Sequence, residues 1–195
     1  MSKAVLISIR PEWCNKIAGG QKTVEIRKTE PNLKKPFKCY IYCTKSTHFV
    51  DIPGVKKSGL MSADGKVIGE FTCCSTTVIR HVRSTGSGAL PKLHIIGPGL
   101  ELQYKPATDL LKAACLSEET AEKYLKGRVG YGWHISDLKI WDEPVKLKNF
   151  WDMKACKHSG DCCTCLQWDN QKENCSASRY ISRPPQSWCY MEDGE

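Results

Sequence analysis

Long apolar segments are missing from this sequence. No run in its 195 residues approaches the ~20 apolar residues that a helix needs to span a bilayer. The N-terminal MSKAVLISIRPEW has only a short apolar stretch before Arg10 and Pro11, without the longer segment and cleavage site of a signal peptide. We therefore expect a cytoplasmic protein with no membrane partner. Its twelve cysteines are then expected to be reduced thiols or metal ligands rather than disulfides.

Negative charge is scarce in most of the chain. Residues 1–150 carry 24 Lys and Arg against 14 Asp and Glu, whereas residues 151–195 carry 5 against 7. Six of the twelve cysteines and three of the six tryptophans fall in the second, shorter stretch. This change of composition predicts a domain at 1–150 and an extension at 151–195. The basic surplus of the first part favours a polyanionic partner, although scattered lysines also serve as a solubilising surface.

Apolar periodicity predicts a β-α-β opening. AVLISIR is typical of a buried strand, Pro11 suits the first position of a helix, and Gly19 and Gly20 end that helix before KTVEIRK returns as a strand. Further strands are expected at FKCYIYCT, KVIGEFTCCSTTVIRHVR and YGWHISDLKIW, with a helix capped by Ser117. These elements predict an α+β fold, a small, curled, mostly antiparallel β-barrel with peripheral helices and an irregular C-terminal extension.

The stretch GGQKTVEIRK (19–28) places three charges around an apolar pair. Because side chains alternate on a strand, Val24 and Ile26 share one face, while Glu25 and Arg27 share the other with Thr23. Such a pattern is typical of a solvated outer face with a surface ion pair. The same residues also suit the floor of a binding site.

The N-terminal region resembles the ASCH family, a branch of the PUA-like β-barrels. LISIRPEWCNKIAGGQKTVEIRK (6–28) has the family's strand, Ser-Ile-Arg-Pro turn, short helix and Gly-x-Lys-x-x-Glu-x-Arg motif. VIGEFTC (67–73) and YGWHISDLKIWDEPVKL (131–147) resemble its later strands, so the similarity covers about residues 1–148. The resemblance implies a cleft between the first helix and the sheet, and a protein that binds RNA or a modified nucleotide.

Carried onto this chain, the motif implies that Lys22, Glu25 and Arg27 form the site. Arg27 would bind a phosphate or hold Glu25, and Glu25 would accept a base amine or act as a general base. Lys22 would bind phosphate or polarise a carbonyl, so Lys22 and Glu25 are the catalytic candidates if the protein is an enzyme. Arg10 and Trp13 are expected to line the same cleft, with Trp13 either stacking on a base or anchoring the helix in the core.

The chain departs from the family at one position. The resemblance implies a threonine nucleophile in members that hydrolyse acylated cytidine, at the position where this chain has Glu25. The nearest hydroxyl on the same strand face is Thr23, two residues earlier. A carboxylate-based mechanism or a purely binding role is therefore favoured, and we expect binding. The alternatives are a hydrolase acting on a nucleoside amide or an RNA phosphodiester, and a protein–protein adaptor whose basic face meets an acidic partner.

The C-terminal extension has the composition of a metal site. A Cys-x-x-Cys turn directs two thiolates at one ion, and tetrahedral zinc needs four ligands. About 45 residues bury too little apolar surface to fold without a staple. We expect a structural zinc bound by Cys156, Cys162, Cys165 and Cys175, with Cys163 and His158 as substitutes. An iron–sulfur cluster or simple packing of reduced thiols are the alternatives.

The proline-rich RPPQSWCY (183–190) is unsuited to regular secondary structure. We expect this segment to lie extended along the first domain, with Trp188 as an anchor.

Overall fold

The computed structural model describes residues 3–48, 50–56, 63–82, 92–96, 104–150 and 181–193, and the backbone of two short strands between 168 and 175. The helices are α1 (Pro11–Ala18), α2 (Thr108–Ala113) and α3 (Glu118–Leu125), and a 3₁₀ turn covers Leu147–Asn149. The strands are β1 (Lys3–Ile9), β2 (Val24–Arg27), β3 (Phe37–Cys43), β4 (Lys66–His81), β5 (Leu93–Ile96), β6 (Tyr104–Pro106), β7 (Gly130–Lys146), β8 (Trp168–Asp169), β9 (Asn174–Cys175) and β10 (Trp188–Glu192). Within these described ranges, no helix has the length and apolar character required to cross a membrane.

Eight strands form one mixed sheet. Its main path runs β10-β1-β3-β4-β5-β6, while β7 pairs with both β4 and β2. The neighbours β1 and β3 are parallel, and the other pairs are antiparallel. β8 and β9 form a separate two-stranded ladder. The fold is thus a mostly β mixed sheet with few helices, in agreement with the α+β class.

The strand order shows that the predicted closure of the sheet into a barrel is wrong. Among the described strands, no ladder joins β2 back to β1, so the sheet is not closed. The physical reason is that β10 pairs with β1, with Lys3 opposite Glu192 and Ile7 opposite Trp188. The outer edge of β1 is therefore already occupied, and only side chains bridge the remaining gap.

The two longest strands bend against each other. β4 and β7 pair from Lys66 to Ile79 with three shifts of register. Such shifts bend the strands, so that β7 pairs with both β4 and β2. Gly69 lies at one shift, where a Cβ atom would collide with the carbonyl oxygen of Lys139. Glycine at this position therefore permits the close approach of the two backbones.

α1 and the start of α3 agree with the sequence prediction, whereas α2 was not predicted. Pro11 occupies the first turn of α1, and Gly20 adopts a φ of 72° just after it, a conformation that suits glycine. The hydroxyl of Ser117 accepts a hydrogen bond from the backbone N–H of Thr120 at 3.2 Å and caps α3. These contacts satisfy helix ends without tertiary support, which is why local sequence predicts them.

Both faces of β2 are buried, unlike the single apolar face that alternation predicts. Val24 and Ile26 pack in a cluster with residues of α2 and α3, such as Leu125. On the opposite face, Glu25 lies across from Trp133 in β7, and Trp133 belongs to the core formed by α1, β1 and β3. The charged face of β2 is therefore enclosed by the protein.

The last described segment lies along the first strand. β10 extends beside β1 from Trp188 to Glu192, and Met191 is buried in a cluster with Leu6. This confirms the expectation of an extended segment anchored by Trp188. The expected lack of regular structure is wrong for its last residues, because Trp188 to Tyr190 pair with β1 as the start of β10. The domain boundary near residue 150 stays a prediction.

Candidate functional site

Three charged side chains converge at β2. The Lys22 Nζ lies 3.2 Å from one carboxylate oxygen of Glu25, and the Arg27 Nη2 lies 3.0 Å from the other. Their side chains are only 2%, 10% and 9% exposed for Lys22, Glu25 and Arg27, respectively. The Lys-x-x-Glu-x-Arg motif thus forms a buried ionic triad, with one carboxylate held between two cations.

Main-chain oxygens hold both cations in place. Lys22 Nζ donates to the carbonyl of Ala114, just after α2, at 2.7 Å. Arg27 Nη2 donates to the carbonyl of Ser8 in β1 at 2.7 Å, and Nη1 donates to the hydroxyl of Ser187 at 3.4 Å. The triad therefore connects β2 with β1, with the end of α2 and with the segment before β10.

The triad carries one positive charge in excess because it contains two cations and a single carboxylate. Burying charge is unfavourable unless an opposite charge and hydrogen bonds compensate it. Within the described part of the chain, Arg27 Nε is a buried donor without a hydrogen-bond partner, and so is the Nε1 of Trp133, the residue opposite Glu25 in the ladder. The site therefore has the charge and the donors to bind an anionic or acceptor group.

Aromatic rings surround the triad. The Lys22 ammonium lies 5.2 Å from the centre of the Trp13 ring, and the Lys16 ammonium lies 5.0 Å from it. These are cation–π contacts, so two ammonium groups occupy positions over Trp13. The Trp133 and Trp188 rings lie 6.0 Å apart on the side of the triad formed by β7 and β10.

Tyr124 of α3 is a residue that sequence reasoning missed. It is the one exposed large apolar residue among those the structure describes, at 38% exposure. Burial raises the pKa of its phenol, and the neighbouring Arg27 guanidinium, which is within hydrogen-bonding reach, opposes that shift. The Lys28 ammonium lies 4.9 Å from the centre of its ring. Nothing in the local sequence of α3 indicates proximity to β2.

Arg10 and Thr23, two other residues of the expected site, lie apart from the triad. The Arg10 side chain is 77% exposed and lies 3.9 Å from Glu12. Thr23 is exposed, and its backbone N–H donates to Ala113 at 2.9 Å. The structure brings together Trp13, Lys22, Glu25 and Arg27 of the expected set, but not these two.

The expected zinc ligands lie outside the residues whose side chains the structure describes. They are Cys156, Cys162, Cys165 and Cys175, with Cys163 and His158 as substitutes. In the described part of the chain, no group of three His, Cys, Asp or Glu side chains is arranged to hold a metal ion. Zinc therefore stays a prediction for the extension.

Buried thiols of the domain are poor candidates for chemistry. Burial raises the pKa of Cys14 and Cys39 well above the ordinary thiol value, and raises the pKa of Cys73 to about 12. Neutral thiols are weak nucleophiles and weak metal ligands. We infer that these cysteines act as small apolar core residues.

His134 lies opposite Val24 of β2, but its contacts indicate a structural role. Its Nε2 is 2.8 Å from the hydroxyl of Thr77 on the neighbouring strand. Burial lowers the pKa of the imidazole, which favours its neutral form. On β7 it faces the side of the sheet opposite to Trp133, away from the triad.

Comparison with known proteins gives similarity to solved structures alone. No protein-family model matches the sequence, and no curated protein matches it at a significant level. The chain is similar to the crystal structure of ASCH from Zymomonas mobilis. The TM-score is 0.48 at 16% identity, and the alignment covers 97% of this chain and 87% of that one.

Two mutant structures of the same Zymomonas mobilis protein are similar at the same TM-score of 0.48. A tyrosine-to-phenylalanine mutant has 17% identity, with 98% of this chain and 91% of that one covered. A serine-to-alanine mutant has 16% identity, with 97% and 88% covered. ASCH is also the family that the N-terminal motif resembles. At this level of similarity, the roles of the site residues rest on the contacts within this chain.

The C-terminal segment contributes residues that the motif does not predict. The backbone N–H of Ser8 donates to Ser187 at 2.9 Å, and the Ser8 hydroxyl donates to the carbonyl of Pro185 at 2.6 Å. Ser187 and Trp188 therefore lie next to the Arg27 guanidinium, 160 residues away in sequence. Only the expectation that RPPQSWCY lies extended along the domain pointed in this direction.

A cavity of about 430 Å³ lies on a different part of the molecule. Its walls include the aromatic residues Tyr40, Trp141 and Phe150, and Trp141 and Phe150 stack with an angle of 3° between their planes. These residues belong to the cluster formed with Leu6 and Met191, on the face of β1 opposite to the triad. The cavity is thus separate from the charged motif.

Proposed function

We propose that this chain is an ASCH-type, PUA-like protein that binds RNA or a modified nucleotide at Lys22, Glu25 and Arg27. The observation that carries the proposal is the buried triad with its excess positive charge and the orphan donors Arg27 Nε and Trp133 Nε1. A phosphate oxygen supplies the acceptor and the negative charge that this arrangement lacks. The basic surplus of residues 1–150 supports a polyanionic ligand.

In this proposal, Glu25 orders the two cations. Each of its oxygens accepts from one of them, so Lys22 and Arg27 are held at fixed positions instead of sampling many rotamers. A preorganised pair of donors binds an anion with a smaller loss of side-chain entropy. Among the described residues, Arg27 Nε is buried without a hydrogen-bond partner, whereas Nη1 contacts Ser187 and Nη2 contacts Ser8 and Glu25.

Hydrolysis of a nucleoside amide or an RNA phosphodiester is the second candidate. Its support is the contact of Lys22 with Glu25, the pair that the ASCH resemblance implies as catalytic. The geometry favours binding over hydrolysis because both carboxylate oxygens already accept from cations, so a general base would first have to release one. A protein–protein adaptor remains the third candidate, and it needs neither Lys22 nor Glu25.

The test is binding of a labelled single-stranded RNA, measured by fluorescence anisotropy at several salt concentrations. Each phosphate contact is expected to contribute a slope of about −0.7 to the dependence of log K on log salt. We expect Arg27→Lys to weaken binding, since it removes the guanidinium fork. The matched control is Lys139→Ala, which removes an exposed lysine 3.9 Å from Glu70. Affinity that is unaffected by salt or by Arg27→Lys would contradict the proposal.

The candidates separate in one further assay. Incubation of the protein with acylated nucleosides and RNA, followed by chromatography, detects any product. Product formation that is lost in folded Lys22→Ala and Glu25→Ala variants would favour the hydrolase. An adaptor tolerates both substitutions.

We also propose a structural zinc in the extension of this protein. Its support is the spacing of Cys156, Cys162, Cys165 and Cys175 and the small size of residues 151–195. Metal analysis of the purified full chain is expected to give about one equivalent of zinc. Less than a tenth of an equivalent would contradict it.

A further inference from the structure

We propose that Trp188 is the stacking platform for the planar base of a nucleotide whose phosphate lies at Arg27. The inference deepens the proposed function and rests on it. It assigns the ligand class as a nucleotide with an aromatic base, rather than free phosphate or a phosphorylated sugar. It also makes the segment from Pro185 to Tyr190 one wall of the site.

The register of β10 places Trp188 on the correct face. Trp188 lies opposite Ile7, which belongs to the core of α1, β1 and β3. Its ring is 6.0 Å from that of Trp133, and Trp133 lies directly across from Glu25. The indole is therefore on the same side of the sheet as the triad.

The neighbouring residue links this platform to the guanidinium. The hydroxyl of Ser187 accepts from Arg27 Nη1 at 3.4 Å, and its carbonyl accepts from the backbone N–H of Ser8 at 2.9 Å. Trp188 is thus one residue from the contact that places Arg27.

The indole is held in one orientation. Trp188 Nε1 donates to the hydroxyl of Thr29 at 3.0 Å, and the Tyr190 ring lies nearly perpendicular to the indole at 78°, with ring centres 5.3 Å apart. The Tyr190 hydroxyl in turn accepts from the backbone N–H of Asn32 at 2.8 Å. An aromatic ring held by such contacts loses little entropy when a base stacks on it. Trp188 is half-buried, so part of the ring stays open to solvent.

Trp188 suits this role better than Trp13. The ammonium groups of Lys16 and Lys22 lie over the Trp13 ring at 5.0 and 5.2 Å. A base would have to displace these cation–π contacts to stack there. Among the described residues, no cation lies over the Trp188 ring.

The test is calorimetric titration of the full chain with adenosine 5′-monophosphate and with ribose 5-phosphate. We expect the wild type to bind the nucleotide more tightly. Trp188→Ala is expected to weaken nucleotide binding by about tenfold to a hundredfold and to leave ribose 5-phosphate unchanged, since a stacked base contributes on this scale. Trp188→Phe keeps a smaller ring, so its affinity for the nucleotide is expected to lie between those of the wild type and Trp188→Ala.

The matched control is Trp141→Ala, which removes a half-buried tryptophan of β7 that packs in the cluster with Leu6 and Met191, away from the triad. Equal weakening of both ligands by Trp188→Ala would show a purely structural role and overturn the inference. Equal affinity of the wild type for both ligands would overturn it as well, while the phosphate site at Arg27 would stand. A wild type that binds neither ligand overturns the proposed function and this inference together.

Discussion

Arg27 Nη2 donates to the carbonyl oxygen of Ser8 at 2.7 Å, and this bond crosses the gap between β2 and β1. A sheet that lacks a closing ladder would expose its seam to water. Here the guanidinium fills the seam with hydrogen bonds to Ser8 and Ser187 and an ion pair to Glu25. The same residue therefore stabilises the fold and supplies the main cation of the candidate site.

Replacing Arg27 is expected to destabilise the protein. Arg27→Ala leaves the carbonyl of Ser8 without its donor and removes one of the two cations at Glu25, so we expect a loss of about 3 kcal/mol in the free energy of unfolding. Urea denaturation of the full chain measures it. Arg10→Ala is the matched control, because the Arg10 side chain is 77% exposed and little change is expected. Equal stability of the two variants would contradict the role of Arg27.

The contact of Lys22 with Glu25 is expected to be strongly coupled. In a double-mutant cycle of Lys22→Met and Glu25→Gln, we expect a coupling energy of about 2 kcal/mol, because both charges are removed from solvent. The control cycle uses Lys56 and Asp142, an ion pair at 2.6 Å on the surface. Solvent screens that pair, so its coupling should be clearly smaller. A buried pair with no larger coupling would mean that water reaches the triad.

Met191 is expected to contribute to the core of the whole domain. It is 2% exposed in β10 and packs in the cluster with Leu6 of β1. Met191→Ala should therefore cost about 2–5 kcal/mol in a single cooperative unfolding transition. Met191→Leu conserves volume and should cost less than about 1.5 kcal/mol. If the alanine variant left the main transition unchanged, β10 would belong to a separately folding unit.

Stability should decrease at alkaline pH because of the buried thiols. The thiol of Cys73 has a pKa of about 12 in the folded protein, against 9.0 as its ordinary value. Above pH 9 the unfolded chain loses this proton while the folded chain keeps it, so unfolding becomes more favourable until about pH 12. Urea midpoints between pH 8 and pH 10.5, about the range in which the unfolded thiol ionises, measure the effect. Cys73→Ala should reduce the slope, and an unchanged slope would show that Cys73 is not its source.

Local chemistry explains which parts of the fold the sequence predicts. Pro11, Gly20 and Ser117 act through their own backbone or through residues a few positions away, so the β-α-β opening and the cap of α3 follow from short stretches. Trp188 was expected to anchor an extended segment because its proline-rich neighbourhood is unsuited to regular structure, although Trp188 itself begins the strand β10. The closure of the sheet was expected and is not observed, since pairing of β10 with β1 depends on residues more than 180 positions apart.

The candidate site shows the same division. The alternation of β2 groups Glu25 with Arg27, and the resemblance to ASCH adds Lys22, so the charged motif is visible in ten residues of sequence. Tyr124 and Ser187 reach the same guanidinium from α3 and from the C-terminal segment, and no local pattern marks either of them. Arg10, close to the motif in sequence, points instead into solvent.

The sequence alone determined which charges lie on β2, because the alternation of a strand is a property of the backbone. Tertiary structure decided that this charged face is enclosed, since the environment of a strand depends on which distant elements cover it. Here α1, β7 and the segment before β10 exclude water from Lys22, Glu25 and Arg27. In water these three groups would form weak, screened pairs, whereas burial strengthens the pairing and fixes their mutual distances.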